Sequence, residues 1–305
     1  MSEIQPTGAY EIRPLSLAET LDAGFQLLKN HFMPLFVLNA IAQAPNLLFF
    51  GYFDWLFDPF ALQSGEMPEI GATFLVAIGL YFLGLLVLMP VVIGAITAAV
   101  SDAYLGNEID LGDCLRRALE RTIPLMITYV IFTIVLFVAT AVIGGLIGLL
   151  VALGAAVLQD SALGVVLLVT LIVAGIPALF AISGLFLLVP GILAAVVVLE
   201  KRSLFDAVAR TVSLVWARIG ALTGVGLVVW MLLMVGPTGA QFMVGAIPIV
   251  GVLIWGAVGA LCQGYLYSTT IVAYFDIRCR LESFDLEHLA QMVEGRAPSA
   301  EALRP

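Results

Sequence analysis

Charged residues are scarce in this sequence, since Asp, Glu, Lys and Arg make up only 11% of its 305 residues. Hydrophobic residues make up 62%, and the mean hydropathy is +1.10. This composition excludes an ordinary soluble domain and indicates a helical membrane protein with several spans. The net charge of −9, without a basic cluster among aromatic residues, also argues against a nucleic-acid partner.

Cysteine and histidine are also rare. Cys114, Cys262 and Cys279 have no CxxC spacing, so we expect free thiols. Together with His31 and His288 they form no spacing typical of metal ligands, and the sequence contains no phosphate-binding loop, HExxH or GxSxG motif. We therefore predict no metal site, no cofactor and no catalytic residue, and we expect a protein that is not an enzyme.

Long uncharged stretches are what the sequence has in abundance. They predict six membrane-spanning helices, because a span needs about 20 apolar residues. The last stretch is long enough for two spans, and we interpret Gly236–Gly239 (GPTG) as the turn between them. An alternative with eight spans remains open, in which Gly144 and Gly145 turn the third stretch, and Pro177 or Val189–Gly191 (VPG) breaks the fourth.

Lysine and arginine occur on only one side of the six-span topology. All thirteen lie before the first span, between spans two and three, between spans four and five, or after the sixth. Because basic residues in short loops mark the cytoplasmic side, we expect both termini in the cytoplasm. The expected location is the bacterial cytoplasmic (inner) membrane, and the preference for arginine over lysine favours a GC-rich genome.

One short polar pattern occurs three times. Each copy has a helix N-cap residue, then leucine, and then an acid three places after the cap. The residues of the three copies are Ser16, Leu17 and Glu19; Asp110, Leu111 and Asp113; and Ser203, Leu204 and Asp206. Apolar or small residues follow at helical intervals, which predicts an amphipathic helix at the membrane surface in each copy.

The repeated unit is an interfacial helix followed by two spans. We expect a cytoplasmic N-terminal segment at 1–15, repeats at 16–109, 110–202 and 203–275, and a cytoplasmic tail at 276–305. The predicted fold class is therefore an all-α integral membrane protein with six transmembrane helices in three such repeats. Parallel repeats predict pseudo-threefold organisation about the membrane normal, unlike the inverted repeats of many transporters.

Polar residues form one face on the first span and one face on the sixth. The first face consists of Asn39, Gln43 and Asn46, and the second of Gln263, Tyr267 and Thr270. Amides are unfavourable in hydrocarbon unless they find partners, so we expect both faces to point into the bundle, where they could meet. Interhelical hydrogen bonding and the lining of a path or headgroup cleft both remain open.

The span interiors contain no ionisable residue, which argues against ion-coupled transport and intramembrane catalysis. Small residues recur at intervals of four, as at Gly144 and Gly148 and at Gly256, Ala260 and Gly264. Such stripes allow close helix packing within a protomer or between protomers, so a homo-oligomer remains open.

Three segments resemble a known family: Arg13–Phe36, Leu199–Gly220 and Tyr274–Ala290. In this order they are similar to the membrane domain of glycerophosphoryl diester phosphodiesterase and to related stand-alone bacterial membrane proteins of unknown function. The resemblance covers nearly the whole chain. In that family the phosphodiesterase activity belongs to a separate soluble barrel, for which the tail after Tyr274 is too short. The resemblance therefore implies no catalytic residue here.

The function expected from these features is that of a non-catalytic membrane scaffold or accessory subunit. It would offer its interfacial helices to membrane lipids or to a protein partner at the cytoplasmic face. The alternative is a passive conduit or carrier for a lipid or small amphiphile, using the amide face of the first span. A glycerophospholipid-related intramembrane enzyme would rest on the family resemblance alone.

Overall fold

The computed structural model describes residue 10 and residues 12–56, 71–158, 162–244 and 248–296. Within these ranges the chain forms helices and no strand. Six of the described helices are long and apolar enough to cross a membrane, which confirms the predicted all-α membrane fold. These spans are Phe32–Phe53, Ala72–Tyr104, Thr122–Leu146, Leu179–Val198, Ile219–Ala240 and Val250–Glu282.

The described helices follow one another along the chain. In chain order they are α1 (Leu17–Asn30), α2 (Phe32–Leu56), α3 (Ala72–Leu83), a π-helical segment (Gly84–Leu88), α4 (Met89–Tyr104), α5 (Leu111–Glu120), α6 (Thr122–Leu158), α7 (Ala162–Val198), α8 (Leu204–Ala217), α9 (Ile219–Val244), α10 (Pro248–Glu282) and α11 (Phe284–Arg296). Helix α3, the π-helical segment and α4 together form the second span. Pro45 of α2 packs against Gly84 at the start of the π-helical segment.

Three short helices, α1, α5 and α8, each precede a spanning helix. They begin at Leu17, Leu111 and Leu204, one residue after the expected cap of each copy. A single residue then separates each of them from the next helix: His31, Arg121 and Arg218. The helix starts agree with the sequence pattern, whereas the threefold repeat and its domain boundaries stay predictions.

The cap residues stabilise these starts in different ways. Ser16 and Glu19 form a complete capping box, in which the backbone N–H of Ser16 donates to Glu19 Oε2 at 2.7 Å. The Asp110 carboxylate accepts hydrogen bonds from two backbone N–H groups of the first turn of α5. In the third copy, the Ser203 hydroxyl donates instead to the Asp206 carboxylate at 2.6 Å.

Two spanning helices continue where the sequence allowed a break. Helix α6 runs through Gly144 and Gly145, and α7 runs through Pro177. The eight-span alternative is therefore wrong for the described part of the chain. Each helix is 37 residues long, about 55 Å at 1.5 Å per residue, so both extend beyond a hydrocarbon core of about 30 Å.

The turn predicted at Gly236–Gly239 is also wrong, because α9 continues through it to Val244 with Pro237 inside the helix. A proline removes a backbone donor, and membrane helices tolerate this when nearby hydroxyl groups satisfy backbone carbonyls. The Thr238 hydroxyl donates to the carbonyl of Met234, whereas the carbonyl that loses its helical N–H donor to Pro237 is that of Leu233. The connection between α9 and α10 falls at residues 245–247, outside the described residues.

Close packing is concentrated at the ends of the spans that adjoin α1, α5 and α8, which we call the basic ends. Buried residues dominate Met89–Tyr104, Leu188–Val198 and Leu266–Ile277. Glycines also allow close contacts elsewhere along the spans, since Gly256 contacts Leu47 and Gly264 contacts Leu28. The spans therefore form a tight core near the basic ends and separate toward the opposite ends.

Candidate functional site: a cavity lined by all six spans

A cavity of about 700 Å³ lies in the middle of the bundle. Every spanning helix contributes residues to its walls. Examples are Gln43 of α2, Ile93 of α4, Tyr129 of α6, Phe186 of α7, Trp230 of α9 and Gln263 of α10. The wall is mainly apolar and aromatic, with a few amide and hydroxyl groups, which is typical of small-molecule sites.

The lining of the cavity includes buried residues near the middle of the spans and exposed residues nearer the ends opposite to the basic ends. Gln43 is buried, and it lies about 17 Å along α2 from the start of that helix at 1.5 Å per residue. Thr140 and Thr238 are exposed, and they lie about 27 and 29 Å along α6 and α9. The closed end is therefore near the middle of the spans, and the mouth is near their far ends.

The structure brings four of the six predicted face residues to this cavity: Gln43, Asn46, Gln263 and Tyr267. The Asn46 Nδ2 group donates a hydrogen bond to Gln43 Oε1 at 2.9 Å. The Oε1 atom of Gln263 is buried and has no hydrogen-bond partner among the described residues. Amides from the first and sixth spans thus share the same cavity.

The other two face residues do not line the cavity. Asn39 is completely buried, and its Nδ2 donates to the carbonyl of Leu35 at 2.7 Å. The Thr270 hydroxyl donates to the carbonyl of Leu266 at 2.6 Å, while its methyl group packs against Gly191. These two side chains serve helix packing. The helical period alone could not distinguish them from the cavity residues on the same face.

A glycine that the sequence pattern missed lets the amide face approach α10. A Cβ atom built at Gly259 would lie 3.0 Å from Gln43 Nε2, so any larger residue would displace the amide. The predicted stripe ran through Gly256, Ala260 and Gly264, and Gly259 lies beside it on the cavity side. The sequence alone does not show that Gly259 faces another helix, because that depends on how α2 packs against α10.

The two tryptophans of the cavity were also not predicted. Trp230 stacks on Phe180 with ring centroids 4.4 Å apart, and Trp255 makes an edge contact with Phe50 at 5.6 Å. Both indoles line the cavity. Single aromatic residues in apolar spans give no sequence sign of the surface they face, so only the packing reveals them.

An apolar groove of about 290 Å³ lies between α6, α7 and α8. Thr211 is its only polar lining residue in the described chain, and its hydroxyl donates to the carbonyl of Ala207 at 2.8 Å. The groove and the cavity share Phe132 and Phe186, whose ring centroids are 6.2 Å apart. This aromatic pair therefore separates the two spaces.

Arginines at equivalent positions attach α5 and α8 to the ends of the spans. Arg117 and Arg210 each lie seven residues after the cap residue of their helix. Arg117 forms an ion pair with Asp102, which raises the pKa of its guanidinium. Arg210 Nε lies 3.2 Å from Glu200 Oε2. The equal spacing of these arginines from their cap residues is visible in the sequence and could have indicated their shared role.

Glu200 is the more buried of these acids and has several donors. The Tyr274 hydroxyl donates to Glu200 Oε1 at 3.0 Å, and Arg202 Nε donates to its Oε2 at 2.8 Å. Burial alone would raise the pKa of this carboxyl, but the hydrogen bonds from Arg202 and Tyr274 and the charge of Arg210 together lower it. The ion pairs therefore hold the short helix α8 against the end of α10.

Asp276 joins the N-terminal segment to the last span. Its Oδ1 atom accepts hydrogen bonds from the backbone N–H of Leu15 at 2.7 Å and from Arg280 Nε at 2.9 Å. Arg280 also donates to the carbonyl of Leu15 at 2.8 Å. Because Leu15 immediately precedes the Ser16 cap, this contact fixes where α1 begins.

The described residues contain no group of three or more His, Cys, Asp or Glu that could hold a metal ion. Cys114, Cys262 and Cys279 are free thiols, and Cys114 and Cys279 are buried. Burial and the nearby Asp102 carboxylate raise the pKa of the Cys114 thiol to about 11. This side chain is therefore a protonated packing residue at neutral pH.

The comparisons with known proteins give no assignment. No family model, curated protein or solved structure matches the chain. The resemblance to the glycerophosphoryl diester phosphodiesterase membrane domain thus stays a prediction. The candidate function rests on the cavity, the groove and the aromatic pair between them.

Proposed function

We propose that this protein binds an amphiphilic molecule in the cavity and acts as a passive conduit for it between the two leaflets of the membrane. The main support for this proposal is a cavity of about 700 Å³ that is lined by all six spans and has amide groups at its closed end. Binding sites for small molecules have this size and this mixture of apolar walls and few polar groups. Among the two non-enzymatic expectations, the cavity favours the conduit.

The groove supplies a lateral route to the cavity in this proposal. Phe132 and Phe186 lie about 15 and 18 Å from the basic ends of their helices, near the middle of a bilayer core of about 30 Å. An apolar tail in the groove would reach the cavity by passing this aromatic pair. No Asp, Glu, Lys, Arg or His side chain lines either space in the described chain, so movement would be passive.

The topology assigns directions to this route. We place the protein in a bacterial inner membrane with both termini in the cytoplasm, because the basic residues lie on one side. The groove would then meet the cytoplasmic leaflet, and the mouth of the cavity would face outward. The three-repeat organisation and the family resemblance belong to the same proposal.

A scaffold remains the second candidate, supported by exposed apolar side chains on the interfacial helices. Phe25 on α1, Leu119 on α5, and Phe205 and Trp216 on α8 are more than half exposed. Such faces suit insertion into the headgroup region or contact with a protein partner. A stoichiometric partner that co-purifies with the wild-type protein and is lost in a Phe25→Ser, Phe205→Ser variant would support this candidate.

The conduit is tested in liposomes that contain trace acyl-labelled fluorescent lipids with anionic, zwitterionic or uncharged headgroups. Dithionite added outside destroys only the outer-leaflet label, so a protein that moves lipid exposes the inner-leaflet label as well. We expect at least one headgroup class to be exposed faster with the protein than in protein-free liposomes. No acceleration for any class would contradict the proposal.

A variant with a narrowed cavity mouth tests whether lipid passes through the cavity in this assay. Thr140→Phe narrows the mouth, and we expect it to slow the exposure of the label. Val138→Phe is the matched control, because Val138 lies two residues away on the same helix, is 52% exposed and does not line the cavity. Equal slowing by both variants would indicate a general effect on α6 rather than blockage.

A further inference from the structure

The cavity has polar groups but no charge. Among its described lining residues, none is Asp, Glu, Lys, Arg or His. Its polar atoms belong to amides and hydroxyls, including those of Gln43, Asn46, Ser183 and Gln263. A charged headgroup in this low-dielectric space would lack a counter-charge, which is strongly unfavourable. The chemistry of the wall therefore selects an uncharged polar headgroup.

A hydrogen-bond acceptor at the cavity is left without a donor. The Oε1 atom of Gln263 is buried and has no partner among the described residues. A buried acceptor without a hydrogen bond costs free energy. This atom is shielded from the cavity, so a ligand O–H group would remove that cost once the side chain of Gln263, a lining residue, rotates toward it. Gln43 and Asn46 use one N–H and one carbonyl oxygen on each other, so their amides retain further donors and acceptors.

Two indole rings complete the recognition surface. Trp230 is held by Phe180 and Trp255 by Phe50, at the centroid distances given above, and both indoles line the cavity. The electron-rich face of an aromatic ring attracts the partly positive C–H groups of a sugar ring. Indoles beside uncharged amides thus form a wall suited to a molecule with hydroxyl groups around its edge and C–H groups on its faces.

We infer that the cavity binds the uncharged, polyhydroxylated headgroup of a glycolipid, with a hydroxyl donating to Gln263 Oε1. This inference rests on the proposed conduit function and specifies its substrate class. The acyl tail lies in the apolar groove, past Phe132 and Phe186. The same headgroup chemistry could come from a free sugar, which the experiment separates from a lipid.

The experiment measures quenching of the cavity tryptophans by brominated lipids. In a Trp55→Phe, Trp216→Phe background, only Trp230 and Trp255 of the four tryptophans remain as reporters. The full-length protein is extracted with a polymer into nanodiscs, because sugar-based detergents would compete. The probes share dibromostearoyl chains and differ only in headgroup: glucosyl diacylglycerol, phosphatidylglycerol or phosphatidylcholine.

We expect saturable quenching by the glucosyl lipid at about tenfold lower concentration than by either phospholipid. Equal quenching by all three lipids would overturn the uncharged-sugar specificity and leave the proposed conduit standing. Absence of saturable quenching by any lipid would contradict both. Relief of quenching by free glucose at millimolar concentration would support the sugar chemistry and overturn the requirement for a lipid tail.

Gln263→Leu tests the assigned acceptor. The substitution keeps the approximate size of the side chain and removes the amide, so the preference for the glucosyl lipid is expected to fall about tenfold, while quenching by phospholipids stays constant. Gln26→Leu is the matched control, because Gln26 lies on α1 outside the cavity and donates to Asp22 at 2.8 Å. An unchanged preference in Gln263→Leu, with the wild-type thermal stability retained, would remove Gln263 from the site.

Discussion

Gly184 on α7 and Gly226 on α9 cross so closely that a Cβ atom built on Gly184 would lie 2.6 Å from the carbonyl oxygen of Gly226. The atom that would be displaced belongs to the backbone, so a side chain there forces two helices apart. Close backbone approach at small residues is a main source of helix association in membranes.

We expect Gly226→Ala to destabilise the fold by about 1–3 kcal/mol, as overpacking of a tight interior does. The measurement is the thermal unfolding midpoint of the purified protein in detergent. Gly220→Ala on the same helix is the control, because a Cβ there meets nothing within 4 Å among the described residues. Since alanine has a higher helix propensity than glycine, an equal loss of stability in both variants would show that the α7–α9 crossing does not set the effect.

Asp276→Ala should loosen the N-terminal segment. It leaves the buried N–H of Leu15 without its acceptor and removes a partner of Arg280, which corresponds to about 1–3 kcal/mol for the unsatisfied group. Hydrogen exchange over α1 is the readout, and exchange should increase there before it increases in α4. Glu108→Ala, an exposed acid between α4 and α5, is expected to leave exchange over α1 unchanged.

Glu200 makes the attachment of α8 dependent on pH. Its pKa is lowered from the ordinary value of 4.5, so its stabilising effect is complete above that pH and is lost as the pH falls through the lowered value. The unfolding midpoint should therefore decrease below pH 4.5, and Glu200→Gln should reduce both the stability at neutral pH and the steepness of this acid decrease. Parallel acid profiles for both proteins would disprove the role of Glu200.

The direction in which the cavity opens can be tested with a membrane-impermeant thiol reagent. In a Cys262→Ala background, Thr140→Cys should react from the side of the membrane opposite to the basic ends, because Thr140 is exposed at the mouth. Val138→Cys, on the exposed face of the same span, should react poorly because it faces lipid. Labelling of Thr140→Cys only from the basic side would contradict both the mouth and the topology.

The aromatic pair between groove and cavity should limit passage. Phe132→Ala with Phe186→Ala removes the rings that separate the two spaces, so we expect faster exposure of labelled lipid in the liposome assay. Phe137→Ala on α6 is the control, because its ring is 74% exposed and lines neither space. A slower rate in the double variant would show that the pair supports the route instead of closing it.

The number of spans followed from the sequence because the hydrocarbon core of a bilayer sets the length and polarity of a spanning helix. The starts of α1, α5 and α8 followed as well, since capping depends on residues only three positions apart. Local rules failed at Gly236–Gly239 because membrane helices tolerate proline and glycine, so these residues do not by themselves end α9.

The tertiary structure alone decided which polar residues share a cavity. Helical period placed Asn39 beside Gln43, yet packing buries the former against Gly264 and exposes the latter to the central space. Trp230, Trp255 and Gly259 gave no sign in the sequence, because the surface that a residue faces depends on the neighbouring helix. The sequence by itself determined that this is a membrane protein and where its short helices begin. The crossing of distant helices determined the candidate site.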